Sequence, residues 1–315
     1  MSSQKAKHLN DYPQLPYHIV AELGEGGYGR VFRARDRITG NTVALKTLHG
    51  SLTPHTPKYR SQALFLEHEF GVCRQIQHPH IVRSHQFGYT ETEMPYAVFT
   101  YLPGETLHRR LLRLGPLTGV AMQQLMGQAL EGLKALHAQG YVHRDIKPLN
   151  IMVEEPPKAS KLTLIDLGIS TAMGSSRLGY GLPQQQTMPQ GSVHYCSQAQ
   201  WSGAEAAAYH DWYAWGLVVL ECLTGTPVFG GLSLSQVVRK KEAGILLPTA
   251  LAGHPLGELL IAVFGGGSDW KDTPALHHDW QLLDLTTLPY LGTPEEKSPG
   301  EDTLLPTMKK THGGP

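Results

Sequence analysis

The sequence predicts an α+β fold built in two unlike halves. Three observations predict it: strand-type runs dominate from Tyr17 to about Thr47, helix-type spacing dominates later, and no internal repeat occurs along the 315 residues. In the first half, YHIVAEL leads into a glycine cluster and RVFRAR follows. DRITGN then has turn composition, and TVALKTL resumes β-branched and apolar residues. This is an antiparallel start. Residues 61–77 place Phe65, Val72 and Ile76 on one stripe at about 100° per residue, the period of a helix. The apolar runs Ile81–Val82 and Tyr96–Tyr101 read as further strands. A long helix is expected from Leu117 to Gln139, where Leu125, Ala129, Leu133 and Leu136 recur near the helical period. Two short strands follow around 142–166, then a loop-rich stretch to about 200. Tyr209 to Leu223 is helical again, and GELLIAVF (257–264) reads as a packed helix.

Composition narrows the function classes. Basic and acidic residues number 27 each, so no global field draws the chain to nucleic acid or anionic lipid. Charged residues are 17%, with 34 Gly and 22 Pro, which favours turns and loops and excludes a coiled coil. Cys73, Cys196 and Cys222 are far apart and form no CxxC, so neither a disulfide framework nor a zinc site is indicated. The N-terminus carries no apolar signal-peptide region, and the most apolar run, Tyr213 to Leu220, is far short of the ~20 residues that span a bilayer. The expectation is a cytoplasmic protein with no membrane span and no nucleic-acid partner; its oligomeric state stays open. The polar residues 1–16 read as a flexible N-terminal tail. Residues 265–315 hold eight acidic residues against four lysines and read as a divergent, partly disordered tail. Within it, His277, His278 and Asp279 read as an exposed turn rather than a metal site.

Two clusters carry chemistry. The first is Gly24-Glu25-Gly26-Gly27-Tyr28-Gly29-Arg30-Val31. A lone GxGxxG is weak, since hairpin turns use glycine for its backbone freedom alone. A dinucleotide-binding fold needs a helix directly after the glycines, whereas RVFRAR is strand-like. A glycine-rich hairpin instead lets backbone amides approach phosphates without side-chain obstruction. Lys46 lies among apolar neighbours on the following strand, and a buried ammonium needs an acidic partner or a phosphate. On helix 61–77, Glu69 falls on the inward stripe while Glu67 faces away, so Glu69 is the expected partner of Lys46.

The second cluster is His143-Arg144-Asp145-Ile146-Lys147-Pro148-Leu149-Asn150, followed by an apolar strand. Asp145 can orient a hydroxyl and accept its proton, Lys147 can offset charge on a transferred phosphoryl group, and Asn150 offers an oxygen suited to Mg²⁺. Sixteen residues on, Asp166-Leu167-Gly168 ends another apolar run, and its carboxylate is a natural second metal ligand.

Together these motifs resemble the eukaryotic-like serine/threonine protein kinase family, in order from about Tyr17 to Gly225. The resemblance implies a bilobal protein kinase fold spanning residues 17–264. It has a small, mainly antiparallel β N-lobe with one helix (about 17–100) and a larger, mainly helical C-lobe (about 103–264), with ATP between them. It implies ATP and Mg²⁺ (or Mn²⁺) as cofactors and protein Ser/Thr hydroxyls as substrates. Gly24, Gly26 and Gly29 would form the nucleotide loop, with Glu25, Gly27, Tyr28 and Arg30 inside it and Leu23 and Val31 against the adenine. Lys46 would hold the α/β-phosphates and pair with Glu69. Phe99 would be the gatekeeper, with Thr100 to Leu102 along the adenine edge. Asp145 would be the base, aided by Lys147, with Asn150 and Asp166 as metal ligands. Asp211 resembles the buried aspartate that anchors the catalytic loop. Arg144 resembles the arginine of kinases switched by loop phosphorylation, with Thr187 as the expected phosphate acceptor.

Two features depart from the family. Leu167 replaces the phenylalanine of Asp-Phe-Gly, an apolar-for-apolar change. The Ala-Pro-Glu element aligns with Ser197-Gln198-Ala199, which removes a glutamate whose usual partner is a late arginine, and no arginine follows Arg239. Removing one partner of a buried ion pair costs about 3–5 kcal/mol, whereas losing both can be nearly neutral. The leading reading is an active, autophosphorylating kinase; the alternative is a pseudokinase-like nucleotide-binding interaction module. A small-molecule kinase is disfavoured by Lys147 and Gly191-Ser192, which resemble the protein-substrate branch.

Overall fold

The computed structural model describes residues 15–26, 29–49, 52–154, 160–175, 193–265 and 272–288, with Leu291 and the backbone of Leu305–Pro306. Gly27, Tyr28, Ser192 and Thr187 lie outside the described residues, as do 1–14 and most of 289–315. The chain forms two compact units: Met1–Pro103 with Ile165–Ile169, and Gly104–Leu164 with Ser170–Pro315.

The first unit is a five-stranded sheet, wholly antiparallel, with one helix. Strands β1 (Tyr17–Gly26), β2 (Gly29–Asp36), β3 (Thr42–Thr47), β4 (Ser84–Tyr89) and β5 (Pro95–Thr100) lie in the order β1-β2-β3-β5-β4. Their alternating side chains bury Phe32, Ala34, Leu45, Tyr96 and Val98 on one face, and Leu15 and Tyr17 join that cluster. Leu15 therefore belongs to the core and not to the tail assigned to residues 1–16, because its apolar side chain is buried in that cluster. The apolar run Ile81–Val82 contributes one isolated bridge, and the strand proper begins at Ser84.

Helix α1 (Pro57–Gln75) starts four residues before the apolar periodicity does. Thr56 caps it by accepting the Tyr59 N–H, and Pro57 suits the first turn, where its missing N–H leaves no bond unmade. Phe65, Val72 and Ile76 are buried as their spacing requires, Glu69 with them, and Glu67 is exposed.

The second unit is mainly helical. It contains β6 (Glu105–Thr106), α2 (Leu107–Leu114), α3 (Gly119–Ala138), β7 (Tyr141–Val142), β8 (Ile151–Glu154), β9 (Lys161–Leu164) and β10 (Thr171–Ala172). These are followed by α4 (Gln198–Trp201), α5 (Ala208–Thr224), α6 (Leu234–Ala243), β11 (Leu246–Leu247), α7 (Pro255–Phe264), α8 (Thr273–Gln281) and β12 (Leu305–Pro306). Helix α5 is buried on nearly every face from His210 to Leu223, which explains its unbroken apolar run. It ends where Gly225 takes the left-handed conformation at φ 75°. Helix α2 buries Leu107 and Leu111, one turn apart, and α6 buries Val237.

The largest departure lies past residue 264. His277, His278 and Asp279 stand in α8, not in an exposed turn, and His277 is buried. Asp272 caps this helix by accepting the Ala275 N–H, while Leu276 and Trp280 are buried against α3. Trp280 stacks edge-on against Trp215 at 4.9 Å and donates its indole N–H to the Gln123 carbonyl at 3.0 Å. Gly119 is glycine for a related reason: a Cβ there would stand 1.9 Å from the Leu285 carbonyl oxygen just beyond α8. No helix among the described residues is long and apolar enough to cross a membrane.

A truncated tryptophan this deeply packed costs about 3–5 kcal/mol. Trp280→Ala should lower the urea midpoint of unfolding by a corresponding amount, and an unchanged midpoint would mean that α8 contributes nothing to the core.

Candidate active site

In the first unit the glycine cluster forms the tip of the β1–β2 hairpin, where Gly26 pairs with Gly29. Gly29 has φ 145°, and a Cβ there would lie 2.1 Å from the Thr47 carbonyl oxygen, so only glycine lets β2 pass this close to β3. At Gly24 and Gly26 an added Cβ would meet no protein atom within 4 Å, so no neighbouring side chain or backbone crowds the hairpin there. Glu25 and Arg30 face each other across the hairpin at 3.4 Å. Leu23 is exposed and Val31 half-buried; Val31 stands opposite Lys46 in the β2–β3 ladder. Phe99 is buried on β5, Thr100 shares a hydrogen bond with His85 at 2.8 Å, and Leu102 follows half-buried.

Lys46 is the centre of this half. Its Nζ donates to Glu69 Oε2 at 2.6 Å and to Asp166 Oδ1 at 3.0 Å. Burial alone would lower the lysine pKa, but the carboxylates of Asp166 and Glu69 outweigh it and raise the pKa above its ordinary value, so the ammonium stays charged. Glu69 is pushed up to about 7: burial raises it, and Lys46, shared with a second carboxylate, offsets that only in part. Asp166 holds φ 62°, a conformation costly for a residue with a Cβ. Leu167 is fully buried, as its place in the motif demands, and Gly168 leaves room beside Asp166 Oδ1 and Glu69 Oε2.

In the second unit, Asp145 receives two side-chain hydrogen bonds on Oδ2. Lys147 Nζ gives one at 2.6 Å and Asn150 Nδ2 the other at 2.8 Å. Asn150 Nδ2 also donates to the Asp145 carbonyl at 2.9 Å. A planar amide that spends its N–H groups this way turns its Oδ1 in the opposite direction, as an oxygen donor for a cation.

Beneath this loop lies Asp211 of α5, fully buried. Its Oδ2 accepts the His143 backbone N–H and its Oδ1 the Arg144 backbone N–H, both at 2.7 Å. His137 Nε2 lies 2.8 Å from Oδ2. Burial pushes the Asp211 carboxyl up, but the hydrogen bond and charge of His137, the His143 charge and the Arg144 N–H hold it below the usual range. The chain of bonds extends outward: His137 Nδ1 lies 2.5 Å from Thr273 Oγ1, which accepts the Trp212 indole N–H at 3.0 Å. Sequence reasoning found Asp211 but missed His137 and Thr273. The LH six residues ahead of His143 was a usable signal; Thr273 had none.

Arg144 holds φ 68° and is buried, and its Nη1 donates to Thr171 Oγ1 at 3.0 Å. Burial lowers its pKa, to about 10, which still leaves it charged at neutral pH. Ser197-Gln198-Ala199 opens α4: Ser197 caps the helix and bonds His210 Nδ1 at 2.7 Å, and Ala199 is half-buried. Gln200, one residue further, donates to the Arg144 carbonyl at 2.8 Å. No cluster of His, Cys, Asp or Glu among the described residues forms a further metal site.

Glu69 binds its proton more tightly folded than unfolded. That contribution to stability is fully present below its ordinary value, 4.5, and is lost as pH rises through about 7. Denaturant unfolding between pH 4 and 8 should show a decline in the wild type that Glu69→Gln lacks. Parallel curves would show that Glu69 ionises normally.

The protein kinase domain family matches residues 17–252. The chain is 31% identical over 238 residues to serine/threonine-protein kinase PknH of Mycobacterium bovis, covering 76% of this chain and 36% of that protein. Serine/threonine-protein kinase PknE of the same species is 33% identical over 223 residues, covering 70% and 37%. PknD of Mycobacterium tuberculosis is 31% identical over 226 residues, covering 71% and 32%. The chain thus spans about a third of the length of the curated relatives it matches. With its motifs in order and its family match across three quarters of its length, the chain belongs to the protein kinase domain family.

Proposed function

We propose that the chain is a serine/threonine protein kinase that transfers the γ-phosphate of ATP to protein hydroxyls, its own among them. The observation that carries this is Asp145, held by Lys147 and Asn150 on a loop pinned to buried Asp211. Phosphoryl transfer asks mostly for positioning and for charge placed in advance, and this arrangement supplies both. The substrate hydroxyl oxygen attacks the γ-phosphorus and forms the new O–P bond as the bond to the bridging oxygen breaks and ADP leaves. The hydroxyl proton passes to Asp145. Lys147 offsets negative charge on the phosphoryl oxygens, and Lys46 holds the α/β-phosphates, oriented by Glu69. Backbone amides of Gly24, Gly26 and Gly29 line the nucleotide loop, with Leu23, Val31, Thr100 and Leu102 toward the adenine. Asn150 Oδ1 and Asp166 would hold Mg²⁺ or Mn²⁺, which neutralises phosphate charge when bound. The names of the relatives and Lys147 two residues after the base both support serine and threonine over tyrosine. We also place the end of the catalytic unit past α8, since Trp280 and Thr273 bond into its core.

Purified protein given labelled ATP and Mg²⁺ should phosphorylate itself and a generic basic protein. A positioned base contributes about 10²–10⁴-fold, so Asp145→Asn should lower transfer by that factor with nucleotide affinity retained. Equal labelling by both proteins, or none by either while nucleotide still binds, would favour the pseudokinase-like module.

A further inference from the structure

The family's usual tie at the end of the activation region is absent here, since Ala199 stands in place of the glutamate and no arginine follows Arg239. The segment from Val193 to Gln200 is nonetheless held at several points. Tyr195 donates its hydroxyl to Glu221 Oε2 at 2.5 Å, Ser197 bonds His210, and Gln200 bonds the Arg144 carbonyl. A further holder is a cation. Lys241, on α6, directs its Nζ to two main-chain carbonyls of the segment, those of Val193 and Cys196. The same ammonium stands 5.2 Å from the Phe229 ring centroid and 5.9 Å from that of Tyr213.

We propose that Lys241 is a positioning residue that fixes the Val193–Gln200 segment beside the catalytic loop and so sets how a protein substrate is presented to Asp145. This rests on the kinase reading above. Of three consecutive cations on α6, Arg239 and Lys240 are exposed and only Lys241 turns inward. An ammonium has three donors and no acceptor, and two buried carbonyls with two aromatic faces satisfy it without any carboxylate. Val193 and Cys196 are themselves buried, so the bonded carbonyls are shielded from competing water. Burial pulls the lysine pKa down, while the Cys196 side chain beside it opposes that shift. A tie to main-chain carbonyls does not depend on which side chains the segment carries, which accounts for an alanine being tolerated at position 199. Helix α6 is anchored through Val237, which is fully buried, and Ser233 and Gln236 form a capping box at its start. The far end of the segment bonds to the Arg144 carbonyl, one residue from Asp145, so a shift of the segment moves the surface next to the base.

The test compares full-length wild type, Lys241→Met and Lys241→Arg. Methionine keeps the apolar stem and removes the charge, whereas arginine restores donors. Steady-state kinetics with a basic protein substrate should show Lys241→Met losing about ten- to a hundredfold in kcat/KM for that substrate, one to two factors of ten at 1.4 kcal/mol each. KM for ATP should stay within twofold, and Lys241→Arg should recover part of the loss. Hydrogen exchange should show faster amide exchange over 193–197 in Lys241→Met, with α5 unchanged. Wild-type kcat/KM in Lys241→Met, or equal losses for ATP and protein, would overturn the proposal. A wild type with no transfer at all would fail the kinase reading separately; the exchange comparison would then still decide whether Lys241 holds the segment.

Discussion

The second unit depends on one buried carboxylate. Asp211 lies in the first turn of α5, a helix buried on nearly every face, where an unpartnered charge would be costly to bury. It is satisfied from three directions, by two backbone N–H groups of the loop carrying Asp145 and by the His137 imidazole. Because both backbone donors belong to consecutive residues, the carboxylate fixes the direction of the chain as well as its position. That requirement explains why Arg144 tolerates a left-handed backbone conformation: two short charge-assisted bonds on either side of its peptide offset the strain.

The first unit uses the same device with the sign reversed. There a cation, Lys46, is the buried group, and two carboxylates from distant parts of the chain converge on it. Asp166 holds a positive φ of its own there. In each unit a single buried charge gathers hydrogen-bond partners from separate parts of the chain. Removing either charge would leave its partners desolvated, which makes these positions far less replaceable than the apolar residues around them.

The divergent parts of the chain follow a different logic. Where the family's terminal ion pair is missing, the protein substitutes bonds to the main chain. Lys241 holds carbonyls rather than a carboxylate, and Gln200 holds a carbonyl of the catalytic loop; elsewhere Thr273 bonds His137 side chain to side chain. Such contacts leave little trace in sequence, since a lysine on a short polar helix or a threonine ahead of a proline has many commoner uses.

The sequence by itself determined the antiparallel start, the inward face of α1 and the two motif clusters, because each rests on local spacing: alternation along a strand, a stripe along a helix, charges crowded into eight residues. It placed Glu69 and not Glu67 inward for the same reason. Only the tertiary structure decided that Leu15 enters the core, that residues 273–281 form a helix bonded to α3, and that Lys241 alone of three neighbouring cations turns inward. Those outcomes depend on which surfaces distant segments present to one another. A Trp280 indole finds its carbonyl on Gln123 across 157 residues of chain, and no periodicity records a meeting of that kind.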